Sequence, residues 1–410
     1  MLIVLALIGV WAGIFFHDGP LPIDGDLRER ERPELAPEEN SALIWPRLRE
    51  EGLFRNRSHG WRELPWSEKE RGEFYRQPEN FRNREAVRQW IEAYKAPLSR
   101  LRSALVVPGF SITPELKSLP PSQGLRALCT HAWYSMVEED PVEAWEWLQA
   151  AKEWQRRFLV GESQSIQSLI IVTNSDYASA AEAFIAAQLP SEEPTLLKAL
   201  QEVRREPIPV GWEKRFLHQQ YAKLTQKLSE KWYFGASLKR SPPEWAEDLF
   251  RPHRTQRKLA DWTRLAIDQL GDPELNEEVF DALRKEPSGL QQAMEFATGN
   301  AGGEWILRRG FFLPSEYLLG FLERMRTDSR LAQLVVALRL YEVRRGALPD
   351  RLDALVPQIL PEIPRDPFAP EGQPFQYDPA RGQLSAANGT TVTISPNAPR
   401  PATPPSPPGS

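Results

Sequence analysis

The sequence contains few residues whose types and spacing could carry out chemistry. Its single cysteine, Cys129, lies two positions before His131 in the stretch LRALCTHAW, and a thiol nucleophile with a histidine base would need those two residue types. The competing interpretation is a buried cysteine that packs as a small apolar side chain, and we favour it because the stretch has helical periodicity. A single cysteine also excludes an internal disulfide and a zinc site of several thiolates.

The histidines do not form a metal-binding pattern. They are His17, His59, His131, His218 and His253. None of them has a second histidine at metal-ligand spacing, and the motifs H-E-x-x-H, G-x-x-x-x-G-K-[ST] and G-x-S-x-G do not occur. We therefore name no catalytic, cofactor-binding or metal-binding residue, and we predict no cofactor.

Other polar segments have a simpler structural interpretation beside a functional one. The basic run RPHRTQRK, 251–258, could bind phosphate, but its acidic neighbours favour a solvated helix face. The stretch GNAGGEW, 299–305, could form a backbone anion nest, although no strand precedes it. Four aspartates near the C-terminal end could converge, and cap or turn roles explain each of them. They are Asp350, Asp353, Asp366 and Asp378.

The composition is that of a chain able to form hydrophobic cores. Of its 410 residues, 41% are apolar and 26% are charged. The net charge of −5 gives the whole molecule no attraction for nucleic acid, so we predict no nucleic-acid partner.

The N-terminal residues predict a membrane anchor. Residues 1–16, MLIVLALIGVWAGIFF, carry no charged side chain and would span ~24 Å as a helix, against a hydrocarbon core of ~30 Å. They lack a basic segment before the apolar run, and no A-x-A-like cleavage site follows. We predict an uncleaved transmembrane anchor over 1–17 that holds the protein to the membrane through residues 1–16, with a cleaved signal peptide as the alternative. The proline- and charge-rich residues 18–39 predict a linker.

Helical hairpins are predicted over residues 40–325. A helix is expected at about 82–105, where apolar residues recur every three or four positions, and Asp140 and Pro141 are expected at the N-cap and first position of another. DPVEAWEWLQAAKEW resembles the helix–turn–helix units of tetratricopeptide arrays, but no 34-residue repeat recurs. The glycine-rich residues 299–310 predict a break between helices.

A small α+β module is predicted at 326–390. Residues 329–345 form an amphipathic helix ending at Gly346, and a short helix is expected at 350–356. Prolines then favour an extended segment that packs on the long helix and leads to a strand at PFQYD with a partner at GQLSAANG. Residues 391–410 are predicted to be a disordered, proline-rich tail.

The stretches ALRLYEVRRGALPDRLDALV, LPEIPRDPF and GQPFQYD resemble the globular end of the major pseudopilins of type II secretion. In that family a long helix ending in tyrosine and glycine is followed by a proline, a short helix, a turn and a strand. The resemblance covers residues 328–388 and implies a module that works outside the inner membrane. The N-terminal segment departs from the family because it lacks a Gly-Phe-x-x-x-Glu-type processing site.

The predicted fold class is therefore mostly α, with loosely tetratricopeptide-like helical hairpins and a small C-terminal α+β module. We predict a non-enzymatic protein with a single-pass anchor in the inner membrane and its soluble part outside the cytoplasm, which binds protein partners or has a structural role in the bacterial envelope. One alternative is an enzyme of unrecognised type, with its site in a cleft between the helical domain and the module. Another is a component of a type II secretion or pilus-like system.

Overall fold

The computed structural model describes part of the chain. The described residues are 17–27, 39–50, 84–107, 121–160, 181–205, 208, 211–229, 248–268, 300–310, 312–369 and 372–394. The predicted anchor at 1–16, His59 and residues 395–410 lie outside them. Among the described helices, none is both long enough and apolar enough to span a membrane.

The described part of the chain is mostly helical. The helices are α1 Trp45–Glu50, α2 Arg84–Ala104, α3 Pro121–Val137, α4 Pro141–Val160, α5 Glu193–Val203, α6 Trp212–Ser229, α7 Pro252–Asp268, α8 Ala301–Gly310 and α9 Phe312–Arg345. Residues 181–188 are also helical. The strands are β1 Gln376–Asp378, β2 Gln383–Ser385 and β3 Thr391–Thr393. The predicted fold class, mostly α with a small C-terminal α+β part, is confirmed.

The chain divides into two compact units. Unit 1 consists of residues 1–33 and 210–320, and unit 2 consists of residues 34–209 and 321–410. Each unit is therefore built from two separate stretches of the sequence. The predicted helical domain 40–325 is divided between both units, a division that helical periodicity by itself does not show.

Unit 2 contains a helical hairpin formed by α3 and α4. Asp140 ends the connection, and its Oδ1 accepts a hydrogen bond from the backbone N–H of Glu143 at 2.9 Å, the geometry of an N-cap. Pro141 begins α4 where no backbone N–H is needed. The two helices approach closely at Gly124, where a Cβ would lie 3.0 Å from the indole of Trp154.

The C-terminal module packs its apolar residues into the core of unit 2. The α9 stripe predicted from the sequence is buried at Leu331, Leu334, Val335 and Leu338. Gly346 ends α9 with a φ of +82°, and its N–H donates to the carbonyl of Glu342 at 2.7 Å. A 3-10 turn at Leu352–Leu355 replaces the predicted short helix at 350–356. A cis peptide bond joins Val356 to Pro357.

The module ends in a three-stranded antiparallel sheet with the order β1-β2-β3. Tyr377 lies opposite Leu384, which in turn lies opposite Val392. The strands predicted at PFQYD and GQLSAANG correspond to β1 and β2. The third strand lies at residues predicted to belong to the disordered tail, because Thr391–Thr393 continue the sheet and bring Ile394 into the core.

Unit 1 contains α6, α7 and α8, together with residues 17–27. The predicted glycine-rich break at 299–310 is wrong, since residues 301–310 form α8. The glycine there permits close packing: a Cβ at Gly303 would lie 2.0 Å from Thr255 Oγ1 on α7. Gly302 N–H donates to the carbonyl of Leu249, so this amide is already used inside the protein and does not serve an anion nest.

Candidate anion-binding cleft

Cys129 and His131 are both buried in α3. Cys129 is 1% exposed, and burial raises the pKa of its thiol to about 12. His131 stacks on Trp147 with ring centroids 4.0 Å apart, and burial lowers its pKa to about 4 despite the nearby Glu143 carboxylate. These are the properties of core residues, because a thiol nucleophile needs a depressed pKa and access to substrate.

Ser135 completes a cluster with His131 that has the residue types of a hydrolase but a different geometry. Its hydroxyl lies 3.4 Å from His131 Nδ1 and 3.4 Å from Glu143 Oε2, so the serine lies between the histidine and the carboxylate. In a catalytic triad the histidine occupies that middle position. Ser135 is also 2% exposed, which leaves no room for an incoming substrate.

The basic run 251–258 contacts the chain's own acidic N-terminal segment. The Asp18 carboxylate accepts hydrogen bonds from the backbone N–H groups of His253 and Arg254, and Arg257 donates to the carbonyls of Asp18 and Pro20. These contacts tie residues 17–27, part of the predicted linker, to α7. The basic run therefore has a structural partner inside unit 1.

Two of the four C-terminal aspartates, Asp366 and Asp378, hold turns. Asp366 is 1% exposed, and its carboxylate accepts hydrogen bonds from the N–H groups of Phe368 and Ala387. Asp378 Oδ1 accepts hydrogen bonds from the backbone N–H groups of Ala380 and Arg381 in the turn between β1 and β2. Within the described residues, no group of three or more His, Cys, Asp or Glu side chains is placed to hold a metal ion.

The most distinctive site is a cleft in unit 2, which we call the arginine cleft. It has a volume of about 330 Å³ and lies between the end of α5, the face of α9 and the proline-rich residues 361–365. Five arginines line it: Arg204, Arg205, Arg326, Arg330 and Arg365. Glu362 is the one carboxylate among the described residues of its wall, so positive charge is in clear excess.

Two of these arginines are held by backbone carbonyls. Arg204 donates to the carbonyl of Ile359 at 2.6 Å, and Arg330 donates to the carbonyl of Arg365 at 2.9 Å. The first bond joins the residue that follows α5 to the turn before the proline-rich residues 361–365, and the second joins α9 to the last of those residues. The guanidinium groups are therefore positioned by rigid elements instead of by carboxylate partners.

A second cavity of about 240 Å³ adjoins the arginine cleft, because Arg205 lines both. We call it the glutamate cavity. It is lined by Gln149, Lys152 and Arg156 of α4, by Glu182, by Glu202 of α5 and by Met325 of α9, among others. Glu182 pairs with Lys152 and is fully buried. Burial raises the pKa of Glu182, and the Lys152 ammonium opposes that shift.

The arrangement is suited to holding an anion. A guanidinium presents planar donors that match a carboxylate or a phosphate, and it stays protonated at any physiological pH. A guanidinium group can therefore bind and orient an anionic ligand, but it does not transfer a proton in a reaction. The described wall of the arginine cleft carries no histidine, cysteine or lysine, and Ser329 and Glu362 are its side chains of types that can act as a nucleophile or a base.

No family model, no curated protein and no solved structure matches the chain.

The arginine cleft is not visible in the amino-acid sequence. Its arginines lie on three separate segments, at the end of α5, along α9 and in the proline-rich segment. Only folding brings them together. One local signal was present, because Arg326 and Arg330 are four positions apart and therefore share one face of α9.

Proposed function

We propose that the protein is a membrane-anchored, non-enzymatic binding protein whose arginine cleft takes an acidic segment of a partner protein. The observation that supports this function is the group of five arginines around one cleft in a chain whose net charge is −5. Arginine charges held close together repel one another, and a bound anion relieves that repulsion. Such a cluster is therefore best explained by a negatively charged ligand.

Carboxylates of a protein fit the cleft better than nucleic acid does. Among the described residues of its wall, none is aromatic, so it offers no platform on which bases could stack. Its volume of about 330 Å³ accommodates a few side chains rather than a duplex. An acidic peptide segment needs no aromatic platform, and a few of its side chains fit this volume.

The anchor and the location complete the proposal. Residues 1–16 would hold the protein in the inner membrane, and the resemblance of residues 328–388 to pseudopilins supports a soluble part outside the cytoplasm. A protease added to intact spheroplasts would then remove a tag placed near residue 400. Protection of the tag, with cleavage after lysis, would contradict this location.

The experiment that tests the binding function uses the full chain in detergent micelles and a fluorescein-labelled peptide of six aspartates. Fluorescence anisotropy should show binding that weakens as salt is raised. The double variant Arg205→Ala/Arg365→Ala should bind at least about tenfold more weakly, because it loses two charge-assisted donors. Both side chains are exposed, so the fold should be retained.

The matched control is Arg351→Ala/Arg381→Ala, which removes the same charge from two well-exposed positions of unit 2 that do not line the arginine cleft. It should keep the affinity of the unmodified chain. Equal losses in both double variants, or no binding of the peptide at all, would contradict the proposal. Displacement by pyrophosphate but not by glutarate would point to phosphate as the ligand.

An enzyme is the second candidate function, and one observation favours it. Buried Glu182, whose pKa is raised by burial, lines the cavity next to the arginine cleft, and such a carboxyl can act as a general acid. Mass spectrometry of acidic peptides after incubation with the protein separates the two functions. Unchanged peptides fit a binding protein, whereas cleaved or modified peptides that need Glu182 fit an enzyme.

A component of a type II secretion or pilus-like system is the third candidate, and the resemblance of residues 328–388 favours it. It predicts that secretion proteins co-purify with this chain in mild detergent. Recovery of the chain alone would count against it.

A further inference from the structure

Residues 17–27 follow α7 from its first turn towards its end, within unit 1. Three contacts join this segment to successive turns of the helix. They are Asp18 with the backbone N–H of His253, Pro20 with the side chain of Arg257 and Ile23 with the side chain of Arg264. The segment therefore lies against α7 over about 16 Å of the helix axis.

The predicted anchor ends directly before this segment. Residue 16 is two positions before Asp18, and two residues of extended chain cover at most about 7 Å. The headgroup layer on each side of the hydrocarbon core is itself about 5–7 Å thick. Because Asp18 is bonded to the first turn of α7, an anchor at residues 1–16 would hold that turn at the membrane surface.

Basic side chains are concentrated at this end of α7. Arg251, Arg254 and Arg257 follow one another at three-residue steps, so successive members face the same side of the helix. Burial lowers the pKa of Arg254, and the nearby charges of Arg257 and Arg251 also lower it, whereas the Asp18 carboxylate acts in the opposite direction. Arg257 donates to the carbonyls of Asp18 and Pro20, and these contacts position its guanidinium group without neutralising its charge.

Two large apolar side chains of the same segment are exposed. Leu21 is 60% exposed and Ile23 is 91% exposed. Single exposed apolar residues are common on protein surfaces. Here, however, they lie beside a group of arginines and directly after a predicted anchor. Protein segments that lie in the headgroup region of a membrane combine basic and apolar side chains in this way.

We propose that Leu21, Ile23, Arg251, Arg254 and Arg257 form a docking surface, through which unit 1 lies on the anionic phospholipids of the membrane that holds the anchor. This inference rests on the anchor of the proposed function. The guanidinium groups bind lipid phosphates, whose oxygens match their donors, and the two apolar side chains enter the boundary between headgroups and hydrocarbon. Binding of lipid phosphates also relieves the repulsion among the three arginines.

The test uses the full chain in vesicles of phosphatidylcholine, with or without phosphatidylglycerol. A nitrobenzoxadiazole label is attached at Ile23→Cys in a chain that also carries Cys129→Ser. Its fluorescence is measured in the presence of lipids that carry a nitroxide quencher close to the headgroup. Quenching should be strong with phosphatidylglycerol, and it should weaken without this lipid or at high salt.

A pair of double variants tests the arginines. Arg251→Gln/Arg254→Gln should lower the ratio of docked to undocked label about tenfold or more, because two charges at the membrane surface are lost. Arg257 is left in place because it holds the segment on α7. The matched control is Arg351→Gln/Arg381→Gln, which removes the same charge from exposed positions of unit 2 and should not change the quenching.

A second label at His17→Cys, next to the anchor, makes the failures distinguishable. Quenching of this label without quenching of the Ile23→Cys label would overturn the docking surface and leave the anchor standing. If neither label is quenched, the anchor of the proposed function fails as well. Equal quenching of the Ile23→Cys label with and without phosphatidylglycerol, or equal losses in both double variants, would overturn binding of anionic headgroups by the arginines.

Discussion

Asp18 Oδ2 accepts a hydrogen bond from the backbone N–H of His253 at 3.0 Å, across 235 positions of the chain. The other carboxylate oxygen, Oδ1, accepts a hydrogen bond from the backbone N–H of Arg254 at 2.9 Å. An aspartate from the N-terminal segment thus accepts hydrogen bonds from two backbone amides in the first turn of α7. In most helices the N-cap residue, directly before the helix, has this role. This contact ties the segment around Asp18 to α7 within unit 1.

Asp18→Ala should therefore destabilise the first turn of α7. The expected cost is about 1 kcal/mol of unfolding free energy, as for other lost N-caps. Hydrogen exchange should become faster at the amides of His253 and Arg254. Asp18→Asn is the intermediate variant, because its one side-chain oxygen can still accept one of the two hydrogen bonds, and similar exchange in all three proteins would show that the cap is unimportant.

Asp26 provides a pH-dependent contact in the same segment. Arg264 donates to both of its carboxylate oxygens at 2.8 Å, and these hydrogen bonds lower the pKa of Asp26 from 3.8 to about 2. Because the folded pKa is depressed, the contact is fully present above pH 3.8 and is lost as the pH falls towards about 2.

A carboxyl ¹³C titration checks this prediction. Asp26 should titrate near pH 2 in the unmodified chain and close to 3.8 in Arg264→Ala. A midpoint near 3.8 in both proteins would mean that the ion pair does not form in solution.

Much of the fold could be predicted from sequence because its signals are local. The caps at Asp140 and Gly346 and the apolar stripe of α9 are visible in a few neighbouring residues. The strands β1 and β2 were also visible, since turn residues separate them. The helix α8 was missed because Gly302 and Gly303 have low helix propensity, which packing against Thr255 overrides.

The candidate site could not be predicted, since it depends on long-range contacts. Arg205 and Arg365 are brought to one cleft by the packing of the proline-rich segment on α9. The same holds for Asp18 and α7, where the sequence indicated only a charged linker and a basic run. Charged side chains that the local sequence would place in solvent are paired, in the folded chain, with residues far away in the sequence.

Asp366 should be the most important carboxylate of the C-terminal module. It is 1% exposed and accepts hydrogen bonds at 2.9 Å from Phe368 and at 2.6 Å from Ala387, so it joins the turn after the proline-rich segment to the loop between β2 and β3. Asp366→Ala should cost roughly 3 kcal/mol of unfolding free energy, because two part-buried hydrogen bonds lose their buried acceptor.

The matched control for this variant is Asp378→Ala. Asp378 also accepts from two backbone amides, but its side chain is 45% exposed and water can replace it. The control should cost less than about 1 kcal/mol in urea-induced unfolding. Equal costs for both aspartates would show that burial of Asp366 adds nothing.

Cys129 should be chemically inert in the folded protein. With its pKa raised to about 12 by burial, only about one thiol in ten thousand is ionised at pH 8, and the side chain is 1% exposed. Iodoacetamide should label it only after unfolding in urea. A cysteine placed at exposed Ser103, in a chain with Cys129→Ser, is the control and should react in the folded state. Rapid labelling of native Cys129 would revive its interpretation as a nucleophile.

The ion pair between Lys152 and Glu182 should show strong coupling between its two members. Their side chains are 13% and 1% exposed, so removing the carboxylate leaves a poorly solvated ammonium group. Glu182→Leu should cost roughly 3–5 kcal/mol of unfolding free energy at pH 7, whereas Lys152→Met/Glu182→Leu should cost far less than the single variants together, because the double variant leaves no buried charge. Urea unfolding of both single variants and of the double variant measures the coupling. Additive losses would mean that water already solvates Lys152, and the glutamate cavity would then be an open, wet surface instead of a closed one.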